Sequence, residues 1–164
     1  MFSINTENLI HIVNKAIAAI NNWEAFGGGD LPEANIFALH QAATSGGATD
    51  GGLSTGYNTQ WRADAKKIIV WFGDASSHEL TVNKAEAIRE LTSKGITVVA
   101  INASNTTTSL TTGINTDSQA SSIATATNGT YAAVYSSNLT DSMMSLIGTA
   151  VSNMTTQTTT PGTY

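Results

Sequence analysis

The stretch "KKIIVWFGDASSHE", residues 66–79, runs an apolar segment into a Gly-Asp pair and then into small hydroxyl side chains. Asp74 is the residue there with a chemistry to offer. A carboxylate suits Mg2+ or Ca2+, hard ions that prefer oxygen ligands, and Mg2+ can keep its waters and use only one or two carboxylates. The structural alternative is an Asp that accepts N–H bonds in the Ser76-Ser77 turn or caps the next helix. A second acidic pair, Asp30 and Glu33, stands in "DLPEANIFALHQAAT". Asp-x-x-Glu at a helix start reads as a capping box by analogy, stabilising by about 1 kcal/mol. The functional alternative turns one of these carboxylates toward Asp74 to support an ion.

Other candidates carry less. The Gly27-Gly28-Gly29 run lacks the Lys-Ser/Thr of a phosphate loop and follows no expected strand, so it reads as a turn needing positive φ. His78 lies beside Ser77 and Glu79, but no nucleophile elbow surrounds it. His11 and His40 fall on expected helices at positions able to face solvent. A phosphoacceptor role for Asp74 would need an acidic pair after an earlier strand and a nearby Lys, and neither is present. No enzyme is expected. Trp23, Trp61 and Trp71 read as packing residues, with Trp61, beside a Gly-rich loop, best placed to reach a partner.

The elements that must position these residues follow from periodicity. Leu9, Ile12, Val13, Ala16, Ile17 and Ile20 recur at helical spacing after Asn5 or Thr6. A second helix opens at Asp30, with Pro32 in its first turn, and residues 45–62 form a Gly-rich loop. Ile68 to Phe72 is too uniformly apolar for a half-exposed edge and reads as a buried parallel strand. Next come a helix stopped by Gly95, the strand "ITVVAIN", a Thr-rich loop, a short helix ending at Asn128-Gly129, the strand "TYAAVY" and a last helix. Alternating strands and helices imply an α/β fold: three layers, a mostly parallel sheet, helices on both faces. In such sheets the functional crevice lies beyond the carboxyl ends of the strands, where Asp74 and Asn102 fall.

Composition narrows the function classes. The 164 residues, 41% hydrophobic, suffice for one domain, residues 1–154, followed by a Thr-rich tail or linker, 155–164. Charged residues are only 12%, about half the usual ~25%, and Thr, Ser, Asn and Gly replace them, as on extracellular and cell-surface proteins. Net charge is −5 with no Lys/Arg cluster, which disfavours nucleic acid as a partner. No apolar run approaches the ~20 residues of a membrane span, so membrane insertion is not expected. The chain has no Cys, which removes disulfides and thiolate metal sites.

In order, "GGGDLPEANIFALHQA", "WRADAKKIIVWFGDASSHE", "ITVVAIN" and "QASSIATATNGTYAAV" resemble the von Willebrand factor type A domain of the bacterial extracellular kind, over roughly residues 7–152. The resemblance implies a Rossmann-like sheet carrying, in complete members, a metal-ion-dependent adhesion site. That site uses an Asp-x-Ser-x-Ser loop, a Thr from a second loop and an Asp from a third. Asp74 matches the third-loop Asp, and Leu31 stands where the family has Thr. No Asp-x-Ser-x-Ser occurs; "DASSH", with Asp74, Ser76 and His78, comes nearest. The implied metal set is therefore Asp74, Asp30, Glu33 and Ser76, which would hold Mg2+ or Ca2+ weakly or not at all without the first loop.

The family's first strand, which the resemblance places beside Ile68–Phe72, has no counterpart in the sequence. The chain thus reads as an incomplete type A fold, a carboxy-terminal half, with that strand's edge left open as a template for another chain. The expected function is an extracellular protein-binding or adhesion module. The alternative is a self-assembling half-domain, a dimer or filament completed by strands from another chain. The partner is then a second copy or a separate first half, meeting Ile68, Ile69, Val70, Trp71, Phe72 and Trp61.

Overall fold

The computed structural model describes residues 6–22, 24, 31–44, 59–104 and 111–156. Among these residues three parallel strands form one sheet in the order β1-β2-β3: β1 Lys67–Gly73, β2 Ile96–Ser104 and β3 Thr130–Tyr135. Val70 pairs with Val99 and Gly73 with Asn102; Val99 pairs with Thr130 and Asn102 with Ala133. Five α-helices accompany them among the described residues: α1 Thr6–Ile20, α2 Asn35–Thr44, α3 Lys84–Ser93, α4 Gln119–Ala126 and α5 Leu139–Thr156.

Alternation along the strands sends successive side chains to opposite faces. Ile69, Trp71, Val98, Ala100 and Tyr131 join Ile36 and Leu39 of α2, Leu91 of α3 and Ile123 of α4 in the larger core. Ile68, Val70, Val99, Ile101 and Val134 pack against Leu139, Met143, Leu146 and Ala150 of α5. The α/β class, the parallel sheet and helices on both faces are as the sequence implies.

Local chemistry sets the boundaries. Asn83 caps α3 in a full capping box with Glu86: Asn83 Oδ1 accepts from the Glu86 N–H at 2.9 Å and Glu86 Oε2 from the Asn83 N–H at 3.0 Å. After α4, Thr127 Oγ1 donates to the Ile123 carbonyl and accepts from the Val98 N–H at 3.1 Å, tying helix end to strand. Asn128 then takes φ of 56°, and Gly129 passes so close to the Val98 carbonyl that a Cβ would overlap it.

Three expectations need correction. The helix expected to open at Asp30 begins at Asn35 instead. Pro32 and Glu33 precede it, so Glu33 is no capping-box partner; Asp30 lies outside the described residues. The Ile68–Phe72 strand is not buried as its composition implied: among the described residues β1 is an edge strand, Trp71 is its one buried side chain, and Phe72 is 43% exposed. The cause is coverage. On the α5 face Ile68 and Val70 are half-buried against the cluster under α5, which packs mainly over β2 and β3, while Phe72 is left exposed. Finally, α1 is amphipathic as expected, yet Val13, Ile17 and Ile20 of its apolar stripe are exposed, as is Ile10 beside it.

Candidate functional site at the carboxyl ends and open edge of the sheet

Beyond the carboxyl end of β1 the chain bends through Asp74 and Ala75 and makes an isolated parallel bridge between Ser77 and Glu33. The Glu33 N–H donates to the Ser76 carbonyl at 2.8 Å, and the His78 N–H donates to the Glu33 carbonyl at 2.8 Å. Ser77 Oγ accepts from the Ile36 N–H at 2.8 Å. A hydroxyl 41 residues away thereby satisfies one of the orphan donors at the start of α2, the service a local cap usually provides. Asn35 adds a bond from Nδ2 to the Ala75 carbonyl at 3.2 Å.

The buried amide of Gln119 holds this segment from the other side. Its Oε1 accepts from the Ser77 N–H at 2.8 Å while its Nε2 donates to the Ser77 carbonyl at 2.9 Å and to Glu79 Oε1 at 3.1 Å. Glu79 Oε2 accepts in turn from the Lys84 N–H at 2.9 Å, at the start of α3. Glu79 is thus a strut between two helices.

At the end of β2, Asn102 is buried and donates through Nδ2 to the Thr112 carbonyl at 2.9 Å. Gly113 at φ +61° lies against its Oδ1 so closely that no Cβ fits. Tyr131 hydrogen-bonds with the Asn102 and Asn115 side chains, and burial pushes its phenol above the ordinary value of 10.0, more than those bonds pull it down. Asn115 Oδ1 accepts from the Ser121 N–H at 2.8 Å and so anchors the first turn of α4.

Of the four metal candidates, the fold joins Glu33 to Ser76 through backbone, with Asp74 two residues before Ser76 and Asp30 outside the described residues. Asp74 is exposed, its carboxylate makes no hydrogen bond to another described residue, and Asn83 performs the capping of α3. Among the described residues no three His, Asp or Glu side chains converge.

Five of the six partner-binding candidates, Ile68, Ile69, Val70, Trp71 and Phe72, lie in β1 itself. β1 pairs with β2 on one side, and no described strand flanks the other. A groove of about 210 Å3 runs between α2 and this edge, lined by Ala38, Leu39, Ala42, Ile69, Trp71 and Phe72. Trp71 is buried, and its indole N–H has no acceptor among the described residues. Trp61 is tied down: its Nε1 donates to the Ala42 carbonyl at 2.8 Å and its ring packs on the larger core. Sequence reasoning missed Gln119, Tyr131 and Asn115. Their signal was polar residues on faces that otherwise carry the core.

No protein-family model, curated protein or solved structure matches the chain. What the fold itself defines is a three-layer α/β protein with a parallel sheet, compatible with a Rossmann-like arrangement. Among the described residues no helix is long and apolar enough to cross a membrane.

Proposed function

We propose that the chain is a non-enzymatic, extracellular protein-binding module of von Willebrand factor type A kind, engaging its partner through the outer edge of β1. One observation carries this reading: a seven-residue strand, apolar from Ile68 to Phe72, lies at the sheet margin with no described strand on its outer side and with Phe72 exposed beside a groove. An extended segment added there gains main-chain hydrogen bonds along the ladder and side-chain contacts at alternate positions. The low charge and hydroxyl-rich composition support the extracellular placement.

The type A resemblance adds a cation, Mg2+ or Ca2+, near Asp74, with Ser76, Glu33 and Asp30 as further oxygen donors. The exposed Asp74 carboxylate, engaged with no other described residue, suits that role. Hydrogen exchange in dilute solution tests the edge. Alternate β1 amides should exchange faster than those of β2, which has neighbours on both sides. Uniform β2-like protection of β1 in a monomer would end the reading.

A further inference from the structure

Resting on the open-edge reading, we infer that the strand seated on β1 is the β1 of a second copy, antiparallel and centred on Val70 about a two-fold axis. The segment from Lys66 to Asp74 is self-complementary in that register. Val70 meets Val70, Ile69 meets Trp71, Ile68 meets Phe72 and Lys67 meets Gly73 of the second copy, and just beyond the strand ends Lys66 flanks Asp74. Cross-strand aromatic–β-branched and opposite-charge pairs are among those that stabilise antiparallel ladders. Residues directly opposite share a face, and the even-numbered side chains here lie on the α5 face. Ile68 and Val70 pack in the α5 cluster, and Lys66 Nζ reaches the Met154 carbonyl at 3.5 Å. Phe72 is exposed on that same face.

Neighbouring registers lose this match. Centring on Ile69 shortens the overlap of the two strands and sets Lys67 against Trp71. Centring on Trp71 sets Asp74 against Ile68 and Lys67 against Ala75. Full overlap of Lys67–Gly73 with its copy, flanked at each end by the opposite charges of Lys66 and Asp74, therefore selects Val70 as the centre. The product is a continuous six-stranded sheet with no exposed β1 edge. On its other face Ile69 of each copy faces Trp71 beside the groove under α2.

The chain lacks Cys, so one introduced thiol reports the register without background. The full chain is expected to have a solution mass twice its 17.1 kDa, and Val70→Cys to form an intermolecular disulfide on mild oxidation. Val98→Cys, on the buried central strand, should not. Lys66→Glu and Asp74→Lys should each weaken the dimer about 2- to 30-fold, the factor for two like-charge cross-strand pairs, and the double reversal should restore it. A dimer that fails to cross-link at Val70, or in which the double variant is as weak as either single one, overturns the inference. So does a monomer at every concentration. In that case, fast β1 amide exchange would leave the open-edge reading standing, whereas protected β1 amides would remove both.

Discussion

Gln119 grips the peptide of Ser77 with both ends of its amide, accepting from the N–H at 2.8 Å and donating to the carbonyl at 2.9 Å. The residues are 42 positions apart and both are buried. Ser77 in turn accepts from the start of α2, so one side chain on α4 indirectly fixes α2 and the turn carrying Asp74. Gln119→Leu keeps the apolar stem but orphans two buried backbone groups, each costing about 1–3 kcal/mol. Chemical denaturation should show that loss. Gln119→Glu should be at least as damaging, because it puts a carboxylate against the Ser77 carbonyl and Glu79.

Two glycines permit the close approaches around β2. At Gly129 a Cβ would overlap the Val98 carbonyl, and backbone cannot swing aside as a side chain can. Gly129→Ala should cost about 1–3 kcal/mol or more through forced displacement. Gly113→Ala meets Asn102 Oδ1 as well as an unfavourable positive φ. Gly95→Ala has open space around its Cβ position and carries only the positive-φ penalty, so its melting temperature should fall least of the three.

Tyr131 makes stability fall in alkali. Its phenol is raised above 10.0 in the folded chain, so the unfolded chain gives up this proton first. The contribution is complete below the unfolded value and is lost as pH climbs from there through the higher folded value. Melting temperature measured from neutral pH into the alkaline range should decline from about pH 10. Tyr131→Phe should flatten that part of the decline while lowering stability at neutral pH, where the bonds to Asn102 and Asn115 are lost.

The stripe on α1 contrasts with the core. Val13→Ser or Ile17→Ser alters an exposed position and should leave the melting temperature nearly unchanged. Leu91→Ala or Ile123→Ala opens a cavity at a fully buried site and should cost about 2–5 kcal/mol. Equal losses in the two pairs would mean that the stripe is packed in solution.

Periodicity made β2, β3, α3, α4 and α5 legible, because their boundaries are set by nearby residues such as Gly95, Asn128 and Gly129. The start of α2 was not. Its N–H groups are served by Ser77, which no window along the chain can connect to Ile36. The same holds for the Gln119–Ser77 clamp and for the Asn102–Tyr131–Asn115 group, where partners come from separate strands and helices. The uniform hydrophobicity of Ile68–Phe72 pointed to burial because composition does not reveal whether a neighbour stands on each side. Asp74 was legible as a residue at the end of a strand; its freedom from the next helix was not.

That freedom can be measured. If Asp74 were a helix cap, Asp74→Ala would cost about 0.5–2 kcal/mol. With α3 capped by Asn83 and the Asp74 carboxylate exposed, the change should stay within the roughly ±0.5 kcal/mol of an ordinary surface substitution in metal-free buffer. Asn83→Ala should carry the cap loss instead, about 1 kcal/mol, because it removes the acceptor for the Glu86 N–H. The two variants should then differ in their response when Mg2+ or Ca2+ is titrated in. Under the proposed cation role, Asp74→Ala loses any ion-dependent rise in melting temperature, whereas Asn83→Ala starts lower and keeps it. An unchanged ion response in Asp74→Ala would remove this carboxylate from the proposed site.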